Sequence, residues 1–101
     1  MKPYRFLEEA NAEFREQIAY FDEQVIGLGD RFITDVESVI RSIRQYPESG
    51  SKISGRVRKR VLRVFKYNIL YVNRPHEILI VAVAPHKRHP RYWRKRLRTQ
   101  R

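Results

Sequence analysis

The spacing of apolar residues changes between the long segment 8–46 and the residues after 57, and this change constrains the fold more than any other feature. Before it, apolar residues recur every three or four positions, which places them on one face of a helix. After it, short runs of β-branched and aromatic residues follow one another, as is typical of strands. The sequence therefore predicts a helical first half and a sheet-forming second half.

The helical half divides into two segments at a glycine-containing junction. Gly27 can adopt the left-handed conformation that closes a first helix beginning at Glu8. Asp30 is placed to cap a second helix, and Pro47 ends that helix. The two helices are then expected to form a hairpin. The apolar positions that define them are Ala10, Phe14, Ile18, Phe21 and Val25, followed by Leu28, Phe32, Val36, Val39, Ile43 and Tyr46.

Strand character occurs at the start of the chain and three times in its second half. The predicted strands are 3–7, 57–65, 67–73 and 77–84. Residues 48–55 are polar and glycine-rich and predict a loop, whereas residues 73–76 have turn chemistry that pairs the last two strands. The first strand is expected at the sheet edge and the last, apolar on both faces, at the centre. The predicted fold class is α+β, with an N-terminal strand and a helical hairpin packed on one face of a small antiparallel sheet. The other face is left for function.

The length and composition exclude several classes of protein. The 101 residues suffice for a single domain, residues 1–101, with a basic tail at 85–101. No apolar stretch is long enough for a membrane helix, and the start has no signal-peptide pattern, so we expect a cytoplasmic protein without membrane contact. Cysteine is absent, and the three histidines lack a zinc-binding pattern. We therefore expect no metal and no cofactor.

Positive charge is concentrated in the second half of the chain. The sequence has 22 Lys and Arg against 11 Asp and Glu, a net charge of +11, and Glu77 is the only acid from Ser49 onward. Such a polycationic half attracts nucleic acid or an acidic protein.

A basic strand is the first candidate site. Strand alternation puts Arg58 and Arg60 on one face and Lys59 and Arg63 on the other. Such charges often only solvate an edge strand and prevent edge pairing. As a group, however, they are suited to bind phosphates or carboxylates, or to stabilise the charge that develops when an RNA phosphodiester is cleaved.

The basic tail is the second candidate site, and it contributes Arg88 and Arg96 as further anion-binding residues. Tyr92 and Trp93 can stack on bases, but an aromatic pair after a central strand more often covers the end of a core, and we favour that interpretation for Trp93. His86 can titrate near neutral pH, although a structural role is the more common one for such a histidine.

The ordered segments resemble the RelE/ParE toxin superfamily, whose members are often described as plasmid stabilisation proteins. The resemblance extends over nearly the whole chain. It rests on Glu9-Ala10, Tyr20-Phe21, the junction Gly27-Leu28-Gly29-Asp30-Arg31-Phe32, Pro47, Phe65-Lys66-Tyr67-Asn68-Ile69-Leu70-Tyr71, and Val83-Ala84-Pro85-His86-Lys87-Arg88-His89-Pro90-Arg91-Tyr92-Trp93. It implies the toxin of a type II toxin–antitoxin pair, neutralised by a cognate acidic antitoxin whose disordered segment folds onto the toxin, with a toxin–antitoxin hetero-oligomer as one form.

The resemblance leaves two targets open, beside a third alternative in which the chain has lost toxicity and persists as a basic binding domain. ParE-like members inhibit DNA gyrase, whereas RelE-like members cut mRNA on the ribosome without a metal. Asn68 and His86 stand where RelE-like enzymes are expected to have arginines, so the sequence is closer to ParE, and enzymatic activity is not expected. Under the nuclease alternative, the resemblance assigns catalysis to His86, Tyr92 and Arg63.

Overall fold

A computed structural model of the chain describes residues 1–89 and 91–98. The predicted tail 85–101 therefore lies partly outside the described residues, at Pro90 and at 99–101. The elements in chain order are β1 Tyr4–Phe6, α1 Glu8–Gln24, α2 Leu28–Gln45, β2 Ser51–Ser54, β3 Val57–Val61, β4 Tyr67–Asn73, β5 Ile78–Pro85 and α3 Arg94–Arg98. No helix among the described residues is long and apolar enough to cross a membrane.

The strands form one sheet in the order β1-β5-β4-β3-β2. This confirms the α+β class, the edge position of β1 and the antiparallel pairing of β4 with β5. The sheet is mixed rather than purely antiparallel, because β1 pairs with β5 in the parallel sense, with Tyr4 opposite Ile78.

The helix junction depends on a contact that the sequence did not predict. Gly27 has a φ of 85°, the left-handed conformation expected of it, and α2 begins directly afterwards. Asp30 therefore lies inside the first turn, and its predicted role as the cap is wrong. The capping carboxylate is that of Asp22 on α1, which accepts the backbone N–H of Gly29 at 2.8 Å. The first helix thereby fixes the start of the second.

The main core lies between the helices and the sheet. Phe32 of α2 is fully buried at its centre. Its ring centroid is 5.0 Å from those of Phe21 and Tyr67 and 5.1 Å from that of Phe65. These distances are those of favourable tilted and edge-on aromatic pairs. The aromatic cluster joins α1 and α2 to the turn between β3 and β4.

The prediction of a loop at 48–55 is wrong for residues 51–54, which form β2 and pair with β3. A tertiary contact precedes this strand. Gly50 is buried against Tyr71 of β4, and its N–H donates to the Tyr71 hydroxyl at 2.9 Å. A Cβ at Gly50 would lie 2.7 Å from that oxygen, so the close approach requires glycine.

The predicted strand 57–65 is too long, because β3 ends at Val61. The Asp35 carboxylate of α2 accepts backbone N–H groups of the next turn, from Arg63 at 3.1 Å and from Val64 and Phe65 at 2.9 Å. Those groups are therefore unavailable to a strand ladder. Asp35 is 5% exposed, so this carboxylate of α2 belongs to the interior of the fold.

Candidate functional site

A cavity of about 360 Å³ lies on the sheet face that α1 and α2 leave uncovered. We call this face the open face and the cavity the open-face cavity. Strands β3, β4 and β5 form its floor, and β2 and the chain after β5 form its rim. Its lining includes Lys59, Asn68, Leu70, Ala84, His86, Arg88, Arg91, Tyr92 and Trp93, with Ile53 and Ser54 from β2.

The cationic side chains of β3 lie on opposite faces of the sheet. Arg60 donates to the Ser42 hydroxyl of α2 at 3.2 Å and to the Ser49 hydroxyl at 2.6 Å. Arg58 donates to the carbonyl of Gly50 at 2.8 Å, on the same side of the sheet. Lys59 points the other way and lines the open-face cavity. The predicted separation of Arg58 and Arg60 from Lys59 is therefore confirmed.

Arg63 does not join the open-face cavity. Because β3 ends before it, strand alternation no longer fixes its direction, and the predicted shared face with Lys59 is wrong. Arg63 instead lines a separate cavity beside α2, together with Asp30 and Thr34. The structure thus brings His86 and Tyr92 together around one cavity and leaves Arg63 at another.

The chain after β5, described at residues 86–89 and 91–98, folds back across the open face, and we call it the returning segment. Trp93 is 2% exposed and belongs to the core, in agreement with the core-covering interpretation. Together with Val57, Val72 and Leu97 it lines a second cavity of about 320 Å³. The open face is therefore only partly free, because a small second core occupies the end next to α3.

A carboxylate that the sequence did not single out holds this returning segment. Glu13 of α1 accepts two hydrogen bonds from the Arg96 guanidinium, both at 2.8 Å, and one from the Tyr92 hydroxyl at 2.6 Å. The pair is well covered, with side-chain exposures of 13% for Arg96 and 19% for Glu13. Arg96, predicted as an anion-binding residue, is thus bound to an acid of its own chain.

The same two side chains close the outer edge of β5. Strand β1 pairs with β5 only as far as Ile80. Beyond it, Arg96 donates to the Val81 carbonyl at 3.0 Å, and the Val83 N–H donates to Glu13 at 3.2 Å. Side chains here take the place of a neighbouring strand, which satisfies backbone groups that would otherwise invite edge pairing.

Tyr92 is held in its neutral form. Burial raises the pKa of Tyr92 far above its ordinary range, and the hydrogen bond to the Glu13 carboxylate raises it further. The guanidinium carbons of Arg88 and Arg96 lie 4.3 and 4.8 Å from the centre of its ring, within cation–π distance. Its hydroxyl and its ring are therefore both engaged within the chain.

Two polar groups of the open-face cavity differ in how they are satisfied. His86 is exposed, and its Nε2 lies 3.2 Å from the Tyr67 carbonyl oxygen. The side-chain oxygen of Asn68 is buried and has no hydrogen-bond partner among the described residues. With Lys59, Arg88 and Arg91 around it, the cavity suits a ligand that has both an anionic group and an N–H donor. The described residues include no cluster of three or more potential metal ligands.

The fold and the open face define a small α+β domain with a basic surface on one side of its sheet. A solved structure described as the chromosomal ParDE TA system from P. aeruginosa superposes with a TM-score of 0.73 over 84% of this chain and 96% of that chain. At 13% sequence identity, this likeness shows the fold alone. No curated protein matches the chain.

Residues 4–90 match the family described as the ParE toxin of the type II toxin–antitoxin system, parDE. The chain belongs to this family. The predicted resemblance to the RelE/ParE superfamily is thereby confirmed, and the matching family is ParE, as the sequence predicted.

Proposed function

We propose that this ParE-family toxin stops growth by inhibiting DNA gyrase and is held inactive in the cytoplasm by an acidic antitoxin. The family match over residues 4–90 carries the proposal. The charge of +11 supports an acidic partner, because electrostatic complementarity speeds association and disfavours partners of like charge. An acidic segment that orders on a basic surface would give a toxin–antitoxin hetero-oligomer.

The chemistry around Tyr92 argues against RNA cleavage, the alternative to gyrase inhibition. A tyrosine that accepts a proton from a ribose hydroxyl needs a lowered pKa, and burial and Glu13 raise the pKa of Tyr92 instead. Arg63 lines the cavity beside α2 and is not available to stabilise charge next to Tyr92. The neutral Asn68 side chain stands in the open-face cavity where a cleavage site would gain from a cation.

A supercoiling assay tests the proposal directly. Purified toxin is titrated into DNA gyrase with relaxed plasmid, and supercoiled product should fall as toxin rises and recover when the antitoxin is added. A matched reaction with a topoisomerase I that relaxes the same plasmid controls for nonspecific DNA binding by a polycation. Full gyrase activity at saturating toxin would sink the proposal.

One observation favours the nuclease as a second candidate, since Lys59, His86 and Tyr92 line the same cavity. Under this alternative, His86 and Tyr92 transfer protons and the surrounding cations stabilise the charge on phosphate. Mapping of mRNA ends after toxin induction separates the two candidates. Codon-phased cuts with unimpaired gyrase would establish the nuclease, whereas intact mRNA with a DNA-damage response would support gyrase inhibition.

A further inference from the structure

We propose that the open-face cavity binds an acidic side chain from an extended peptide segment of the antitoxin, with a backbone N–H of that segment bonded to Asn68. This inference rests on the proposed function, in which an acidic antitoxin neutralises the toxin. It assigns the antitoxin to one cavity and to one chemistry of recognition, a carboxylate next to a peptide N–H.

Lys59 differs from Arg58, Arg60 and Arg96, three other predicted anion-binding residues, because it binds no oxygen of the described residues. Arg58 and Arg60 donate to oxygens of their own chain, and Arg96 is paired with Glu13. Lys59, by contrast, lines the cavity and makes no hydrogen bond or ion pair with the other described residues. Lys59 is half-buried, and an ammonium group that has no acid beside it attracts a carboxylate.

Asn68 supplies the second half of the recognition. Its side-chain oxygen is buried without a hydrogen-bond partner among the described residues, on the floor of the same cavity. A buried acceptor of this kind destabilises the free protein until a donor reaches it. A peptide in extended conformation presents a backbone N–H beside each side chain, so one residue can satisfy both Asn68 and Lys59.

The lining favours a peptide over a nucleic acid. Single-stranded nucleic acids bind through aromatic faces on which bases stack. Trp93 is 2% exposed, and the ring of Tyr92 is already covered by cations at 4.3 and 4.8 Å. The exposed Ile53 side chain at the rim and Leu70 on the floor instead offer aliphatic contacts suited to a peptide side chain.

Fluorescence anisotropy with the full chain tests this assignment. The probe is a short labelled peptide of glutamate, leucine and serine, compared with the same peptide carrying glutamine for glutamate and with oligodeoxythymidine of similar length. Lys59→Gln removes the cavity cation. Lys52→Gln is the matched control, because Lys52 lies on the neighbouring strand opposite Arg58, on the other face of the sheet.

We expect the glutamate peptide to bind more tightly than the glutamine peptide. Lys59→Gln should weaken binding of the glutamate peptide about tenfold, and Lys52→Gln less than about twofold. Asn68→Leu should weaken both peptides about fivefold while leaving the free protein at least as stable as the wild type, because it removes an unpaired buried acceptor.

Equal losses for Lys59→Gln and Lys52→Gln would overturn the proposal and show attraction by net charge alone. A loss specific to Lys59→Gln that appears only with the oligonucleotide would overturn it in favour of a nucleic-acid site. Gyrase inhibition is measured without the peptide, so the two proposals fail separately. A toxin that inhibits gyrase but ignores the peptide refutes only this inference.

Discussion

Both faces of the sheet carry polar and charged residues, but the two faces differ in whether those residues find partners within the chain. On the helix face, polar groups are satisfied within the chain, as Asp35 binds three backbone N–H groups and Arg60 binds two hydroxyls. On the open face, Lys59 and the Asn68 oxygen lack such partners among residues 1–89 and 91–98. Neighbouring residues of one strand, Lys59 and Arg60, therefore have opposite roles. Position in the strand decides whether a cation supports the fold or remains for a partner.

The largest predicted effect concerns the core beneath the returning segment. Trp93→Ala should lower the free energy of unfolding by about 3 kcal/mol, because it empties a site that is 2% exposed in the wild type. Urea denaturation measures the loss, with Tyr46→Ala, a 60% exposed aromatic, as the control. A loss no greater than that of the control would mean that the open face has no core of its own.

A second variant tests the helix face. Asp35→Ala should cost about 2 kcal/mol, since the N–H groups of Arg63, Val64 and Phe65 lose a charged acceptor and must turn to water. Glu37→Ala on the exposed side of the same helix is the matched control and should change stability by less than about 0.5 kcal/mol. Equal effects would show that Asp35 does not hold the turn after β3.

Local patterns were sufficient to predict most of the fold. The three-and-four spacing of apolar residues predicted α1 and α2, and Gly27 and Pro47 marked their ends. Strand β2 was missed because residues 51–54 have little strand character of their own. They become a strand by pairing with β3, next to the contact between Gly50 and Tyr71.

The candidate site was less predictable because the residues that contact one another there are distant in sequence. Strand alternation correctly separated Lys59 from Arg58 and Arg60. Nothing local, however, connects Glu13 with Arg96, which lie 83 positions apart. Sequence reasoning counted Arg96 as available to a partner, although an acid of α1 already binds it. Glu13 follows the buried residue Ala10 by three positions, which places it beside the apolar face of α1 and is a local sign that it lies near the core.

A third variant tests the contact that fastens the returning segment to α1. Glu13→Gln should cost about 1.5 kcal/mol, because Arg96 loses its charged partner in a mostly covered site. It should also lower the pKa of Tyr92, since the Glu13 carboxylate contributes to raising it. Tyrosinate absorbance measures that pKa. The difference between Glu13→Gln and the double variant with Tyr92→Phe isolates the Tyr92 signal, and the difference between the wild type and Tyr92→Phe gives the reference. Glu16→Gln, exposed on the same helix, serves as the control, and an unchanged Tyr92 titration would contradict the assigned hydrogen bond.

The smallest effect is expected at an ion pair that belongs to neither face. A Glu77 carboxylate oxygen, just before β5, lies 2.9 Å from the Arg5 guanidinium on β1, and the side chains are 27% and 47% exposed. The hydrogen bond from Arg5 holds the pKa of Glu77 below its ordinary value of 4.5. A lowered pKa in the folded state means that the stabilisation is present above pH 4.5 and is lost as the pH falls toward the folded value.

Glu77→Gln should therefore cost about 0.5 kcal/mol at neutral pH, and solvent and salt should screen that contribution. Urea titrations of wild type and Glu77→Gln at neutral and acidic pH, each at low and high salt, measure the difference. It should vanish in acid and shrink in salt, whereas the loss from Glu13→Gln should persist in salt because its pair is mostly covered. A Glu77 effect that is equally insensitive to salt would remove the distinction between the exposed pair at the sheet edge and the covered pair on α1.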